Sequence, residues 1–290
     1  MPQLYLGLMS GTSIDGVDAA LVDFSCPHPR LLDCKTFPFT SSLSNELHQL
    51  CAPSENEIEL MGRADRAVAE AFAEATLQML NDNYVRPDQI IAIGSHGQTI
   101  RHIPFGEHSF SLQIGDPNTL ATLTGIDVVA DFRRKDISLG GQGAPLVPAF
   151  HKAVFGSQTK SRVVINIGGI ANITYLPKND SDDIIGYDTG PGNTLLDAWC
   201  KLHTGQNYDE KGQWAAQCSA DPELLQLLCN HPYFLLPAPK STGREQFNLS
   251  WLQQNLNRMT RHIDPQVVQA TLVMLTTYTI AKQVLQFKDV

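Results

Sequence analysis

The tightest constraint on the fold is a pattern that occurs twice: a run of strand formers, a bend of glycine and polar residues, and a second run of strand formers. It opens the chain as "LYLGLMSGTSIDGVDAALVDF", Leu4 to Phe24, and returns as "SRVVINIGGIANITYL", Ser161 to Leu176. In the first copy, Gly7, Ser10, Gly11, Thr12, Ser13 and Gly16 interrupt two apolar stretches, and the polar insert carries Asp15 and Asp18. Such an insert costs backbone entropy and offers little to pack. It is therefore either a plain hairpin turn or a set of exposed amides and hydroxyls that hold something.

The length of 290 residues lets each copy belong to its own lobe with its own core. Hydrophobic residues make up 42% and charged residues 18%, a globular balance. A formal charge of -9 works against a nucleic acid or an anionic membrane as partner, because no excess of Lys and Arg is available to neutralise phosphates. Met1-Pro2-Gln3 lacks the basic start of a secretory signal, so a cytoplasmic location is expected. The most apolar late stretch, Val267 to Ala281, carries Gln269 and four threonines, is too short for a membrane span, and predicts a buried helix. Six cysteines form no CxxC pair and no zinc spacing, which predicts reduced thiols.

From Glu59, the apolar positions Met61, Ala64, Val68, Phe72, Ala75 and Met79 recur at helical spacing up to the turn at Asn81. "IIAIGSHGQTI" reads as a short strand ending at Gly94 in a polar turn, where an α/β sheet usually presents chemistry. "GIDVVADFRRKD" repeats the scheme, and the Gly- and Pro-rich "LGGQGAPLVPAF", Leu139 to Phe150, reads as an interdomain crossing. The expected architecture is α/β, with an N-terminal lobe at 1–138 and a C-terminal lobe at 139–290. Two glycine hairpins, one per lobe, would suit a nucleotide.

The opening bend is not a Walker loop, since GxxxxGK[ST] is absent, and no Rossmann fingerprint is present. Its amides and hydroxyls could cradle phosphate, with Asp15 or Asp18 near a hydrated Mg²⁺; the plain hairpin is the alternative, and the second bend at Gly168-Gly169 favours binding. In "GYDTGPGNTLLDAW", Asp188 ends a strand. Gly190, Pro191 and Gly192 bend the chain, and Asn193 or Thr194 would cap a helix with apolar face Leu195, Leu196, Trp199 and Leu202. Asp188 is either a turn-stabilising carboxylate or a base that takes a proton from a nucleophile near a bound phosphate. His96 and Gln98 could hydrogen-bond a sugar or be satisfied loop residues. In "DFRRKD", Asp131 to Asp136, the charges are either a solvated surface or, through Arg133, a grip on a carboxylate. "PKSTGREQF" reads as a surface turn or ligand loop and receives no role.

Together, "GLMSGTSIDGVDAALV", "GSHGQT", "QIGDPNTLA", "VVADFRRKDISLGGQGAPLVPAFH", "NIGGIANIT", "GYDTGPGN" and "PKSTGRE" resemble the anhydro-N-acetylmuramic acid kinases, bacterial enzymes of the sugar kinase, Hsp70 and actin superfamily. The resemblance implies two actin-like (ribonuclease H-like) lobes around a cleft for ATP and Mg²⁺. Gly11, Thr12, Ser13, Ile14, Asp15, Gly16, Val17 and Asp18 would form the first phosphate loop, and Gly168, Gly169, Gly190, Gly192 and Asn193 the second. Asp15 and Asp18 would lie near the metal. His96, Gln98, Asp131 and Arg133 would face the sugar, Arg133 gripping its lactyl carboxylate. Asp188 would deprotonate the water that opens the 1,6-anhydro bond before O6 is phosphorylated. A homodimer is also implied. Family members continue for roughly a further quarter of this length, so the second lobe is expected to be incomplete, with an unpaired sheet edge, a nucleotide pocket missing one wall, and weak or absent ATP turnover. The alternatives are another sugar kinase or a phosphatase of the superfamily, or a non-catalytic amino-sugar binder that has lost the adenosine pocket.

Overall fold

The computed structural model describes residues 2–11, 13–104, 106–179, 183–287 and 290. Two compact units divide between Gly143 and Ala144, inside the Gly- and Pro-rich stretch. The chain is α/β, and all six cysteines are free thiols. Among the described residues no helix is long and apolar enough to cross a membrane.

The first unit runs β1 (Leu4–Ser10), β2 (Gly16–Asp23), β3 (Arg30–Pro38), α1 (Ser41–Leu50), α2 (Glu57–Asp82), β4 (Ile90–Ile103), β5 (Phe110–Ile114), α3 (Pro117–Thr124), β6 (Val128–Val129) and α4 (Phe132–Ser138). The opening repeat is the β1–β2 hairpin, with Leu8 opposite Ala19 and Leu6 opposite Leu21. β3 adds antiparallel to β2, and β4 lies parallel to β1 on its other side. β6 then pairs parallel with β4, so the order β3-β2-β1-β4-β6 is the ribonuclease H-like one, with β5 pairing antiparallel to the second half of β4. Alternation decides which face is covered: Leu4, Leu6, Leu8, Val17, Ala19, Leu21 and Ile93 join α1 and α2 in one core. α2 delivers Ala64, Val68, Phe72, Ala75 and Met79 to that core, from the helical spacing seen in the sequence.

β4 departs from expectation. "GSHGQT" is not a turn after the strand but part of it, because β1 pairs with it as far as Gln98 and β5 takes over from there. The polar residues are carried around a kink at Gly97, whose φ of +71° suits glycine and where a Cβ would overlap the Ile114 carbonyl.

The second unit runs α5 (Pro148–Phe155), β7 (Arg162–Ile167), β8 (Ile170–Leu176), β9 (Ile185–Pro191), α6 (Asn193–Thr204), α7 (Pro222–Cys229), α8 (Leu249–Leu256) and α9 (Pro265–Val284). Its sheet is antiparallel, β7-β8-β9, and β7 is paired with β8 alone among the described residues. α9 covers Val267 to Ala281, where a buried helix is expected, but it is buried on one side only, with Val273, Met274 and Tyr278 exposed on the other. Val268, Leu272 and Leu275 pack into a cluster with α6, α7 and α8, while Ile280 packs against Ile173 and Tyr187 of the sheet. α6 buries Leu195, Trp199 and Cys200, but Leu202, expected on the same face, is exposed.

Candidate functional site

Asp188 sits near the end of β9 and is buried. Neither of its backbone groups bonds to β8: the N–H donates to the Lys240 carbonyl at 2.9 Å, and the carbonyl accepts from the Tyr233 hydroxyl at 2.7 Å. Its carboxylate Oδ2 accepts from Ser241 Oγ at 3.0 Å and from the Thr242 N–H at 2.9 Å. Two donors from one loop fix the carboxylate plane, and Lys240, Ser241 and Thr242 are all buried. The Lys240 ammonium donates to the Tyr233 carbonyl at 3.1 Å and lies 4.7 Å from the centre of the Tyr233 ring. Burial lowers the Lys240 pKa, with Lys282 adding to the effect. Burial, then the charge of Asp188, pushes the Tyr233 phenol well above its usual value.

The N-terminus of α6 carries no side-chain cap. Instead the N–H groups of Gly192 and Thr194 donate to the Gly169 carbonyl at 3.0 and 3.1 Å, and that of Asn193 to the Gly168 carbonyl at 2.8 Å. The β7–β8 bend therefore satisfies the helix end, in place of Asn193 or Thr194. A Cβ on Gly192 would overlap the Gly168 carbonyl, so glycine is required for this close approach. Since a trans peptide points N–H and C=O in opposite directions, the Gly169 N–H is aimed away from α6. At Gly190 (φ +144°) a Cβ would come within 2.7 Å of the Phe234 ring, which makes this glycine a packing requirement.

In the first unit the bend after β1 is anchored from α1 and the end of β3. Ser44 Oγ donates to the Ile14 carbonyl at 2.9 Å, and the Phe39 N–H to the Asp15 carbonyl at 3.1 Å. Ile14 has a φ of +57° and a fully buried side chain, as does Val17, so only their peptide groups can serve a ligand. Asp15 accepts from Ser13 Oγ at 2.7 Å, and Asp18 from Thr36 Oγ1 at 2.6 Å. Thr12 lies outside the described residues. A pocket of about 580 Å³ on the sheet face opposite α2 is lined by Gly7, Met9, Asp18, Thr36, His96 and Phe132, among others. Away from that lining, Ser10 Oγ, Ser95 Oγ and Gln98 Oε1 are buried in β1 and β4 without a protein partner among the described residues, Ser10 and Ser95 in step with core residues Leu8 and Ile93. Orphaned polar atoms of this kind call for ordered water or a polar ligand.

Arg133 reaches His96 from α4, its Nε donating to His96 Nε2 at 2.9 Å. His96 is then neutral and carries its proton on Nδ1, which donates to the Gly97 carbonyl at 3.0 Å. Burial, with the Arg133 charge second, lowers the pKa of both His96 and His102 to about 4. Arg133 also donates to the Gly143 carbonyl at 2.5 Å, while Asp136 accepts from the Gly143 N–H at 2.7 Å.

The family model for anhydro-N-acetylmuramic acid kinase matches residues 3–290. The chain belongs to this family. An anhydro-N-acetylmuramic acid kinase of Shewanella oneidensis is 55% identical over 282 residues, 97% of this chain and 76% of that protein. One of Shewanella baltica is 55% identical over 285 residues, 98% of this chain and 77% of that protein. A solved Ppx/GppA phosphatase of Aquifex aeolicus covers 99% of this chain and 93% of its own at 9% identity and a TM-score of 0.38, too distant to inform fold or chemistry.

Against the kinase family's expected site, the structure joins His96 to Arg133 and places Asp18 and His96 on one pocket. Asp131 holds an ion pair with Arg134 at 2.6 Å. Gln98 is inward-facing and donates to the Thr99 carbonyl at 3.0 Å, rather than lying open after a strand. The amides of Gly192 and Asn193 are bonded to the β7–β8 bend, so they do not form an open phosphate cradle. Three residues were missed: Tyr233, Ser241 and Thr242. The available signal was the polar run "PKSTGRE" following an aromatic- and proline-rich stretch, which marks a loop pressed against protein rather than solvent.

Proposed function

We propose that this chain opens 1,6-anhydro-N-acetylmuramic acid with water and transfers the γ-phosphate of ATP to the released O6, giving N-acetylmuramic acid 6-phosphate and ADP. Family membership supports the reaction class. The observation that carries the mechanism is the buried, doubly hydrogen-bonded carboxylate of Asp188. A base held in one orientation removes a proton from an attacking water without first reorganising.

Asp188 takes that proton as the water oxygen attacks the anomeric carbon. The C1–O6 bond breaks, and O6 accepts the phosphoryl group. The peptide groups and hydroxyls at Gly11–Gly16 and the Gly169 N–H would bind phosphate oxygens. Among the described residues no group of three or more His, Cys, Asp or Glu is placed to hold a metal. A Mg²⁺ that keeps its waters and leans on phosphate needs only one or two carboxylates, a requirement that Asp15 and Asp18 meet. When bound, that ion neutralises charge on the transferring group. Arg133, oriented by neutral His96, would grip the lactyl carboxylate.

Incubation of the sugar with ATP and Mg²⁺ in ¹⁸O water should yield a sugar phosphate carrying solvent oxygen at the anomeric carbon, read by mass. Asp188→Asn should abolish turnover, with nucleotide affinity nearly unchanged. Product without solvent oxygen, or an active Asp188→Asn enzyme, would overturn the mechanism.

A further inference from the structure

Asn172 lies directly opposite Asp188 in the β8–β9 register. Because both backbone groups of Asp188 bond to Lys240 and Tyr233 on the far side of β9, the 172/188 pair is a non-hydrogen-bonded one. In such pairs the Cα atoms approach to about 4.5 Å, and the two side chains stand closest together on one face. The Asn172 side-chain oxygen is buried and accepts no hydrogen bond from the described residues. A buried amide oxygen without a donor is destabilising, so something with an O–H or N–H belongs beside it. Asn166 of β7 continues the same row, opposite Asn172.

We propose that Asn172 is a catalytic residue that orients the attacking water: one O–H of that water points to the Asp188 carboxylate and the other to Asn172 Oδ1. Water has two protons, and two acceptors side by side take both. Its lone pair is then directed away from them, toward the anomeric carbon. The water oxygen forms the new C1–O bond as C1–O6 breaks, one proton passes to Asp188, and the other stays on the new hydroxyl, still hydrogen-bonded to Asn172. Asn172 exchanges no proton, and an acceptor oxygen is all the step needs from it. The inference rests on the kinase reading above.

The test uses the unsubstituted chain beside Asn172→Leu, which keeps the volume without the acceptor, and Asn172→Ser, which restores an acceptor oxygen. Each is assayed for sugar phosphate with ATP and Mg²⁺, and for sugar affinity by calorimetry. Asn172→Leu should lower kcat by at least 30-fold with the sugar Kd and both KM values within threefold, and Asn172→Ser should recover at least a fifth of the lost kcat. Undiminished kcat in Asn172→Leu, a loss confined to sugar affinity, or a serine variant no better than the leucine one would overturn the role of Asn172 while leaving the kinase reading standing. Should Asn172→Leu fail to fold, Asn172→Ala, which also lacks the acceptor, takes its place: a reduced kcat with a larger solvent deuterium isotope effect supports the inference, and unchanged values overturn it. Turnover by the unsubstituted chain is expected to be weak, so product is read by mass at high enzyme concentration, and no sugar phosphate under those conditions would overturn the kinase reading of this chain and this inference with it.

Discussion

In the first unit, the bend between the paired strands is held by Ser44 and Phe39, which reach it from the elements that follow β2. In the second unit, the corresponding bend is held by the first amides of α6, which bond to the Gly168 and Gly169 carbonyls. The same strand–bend–strand pattern is thus supported once by side chain and loop and once by a helix end. In the first case the helix that follows keeps its own cap, since Thr40 Oγ1 accepts from the Leu43 N–H of α1 at 3.3 Å. In the second, the end of α6 is occupied by protein carbonyls and loses the free N–H groups that make a helix start an anion site. Likeness in sequence did not carry likeness in what each bend offers a ligand.

The largest expected difference between the units is in acid. His96 and His102 of the first unit, with pKa values near 4, stay neutral when folded but take up protons near pH 6.5 when unfolded. Stability that is complete above about pH 6.5 is therefore lost as pH falls toward 4, by up to about 1.4 kcal/mol per pH unit for each histidine. All three tryptophans, Trp199, Trp214 and Trp251, belong to the second unit. Urea melts at pH 5 should show the loss in far-UV circular dichroism before tryptophan fluorescence responds, and His96→Gln should reduce the pH slope. Simultaneous loss in both signals would remove the contrast.

Next in size is the support of Asp188 by its loop. Ser241→Ala should reduce kcat about tenfold, on the scale of one hydrogen bond to a charged group, with KM unchanged. Ser241→Thr should recover most of the loss. A change in KM alone would place Ser241 in substrate binding instead.

The smallest effects concern the helix ends. Thr40→Ala should cost about 1 kcal/mol in denaturant melts, as loss of an N-cap does. Asn193→Ala should cost about 0.5 kcal/mol or less, because its amide bond to Gly168 survives the substitution. Equal costs would mean that the two ends are supported alike.

Elements defined by local sequence were legible from the residues: α2 from its 3–4 spacing, and α9 from its mostly apolar late stretch. The misreadings share one cause, which is that the deciding partner lies far along the chain. "GSHGQT" looks like a turn until β1 and β5 flank it, because glycine and polar residues continue a strand when neighbours supply the hydrogen bonds. Asn193 looks like a cap until the Gly168 carbonyl takes its amide. Asp188 was recognisable from its Asp-Thr-Gly setting. Ser241 and Thr242 were not, since only folding brings a loop more than fifty residues later against it.

α9 buries one side along its length, and that side is shared by the helical cluster and the sheet that bears Asp188. The helical cluster and the sheet cannot separate while this helix keeps all of its neighbours. Amide protons from Val268 to Ile280 should thus exchange with solvent only through whole-unit opening, and the scaffold behind the carboxylate would be retained or lost in a single cooperative event.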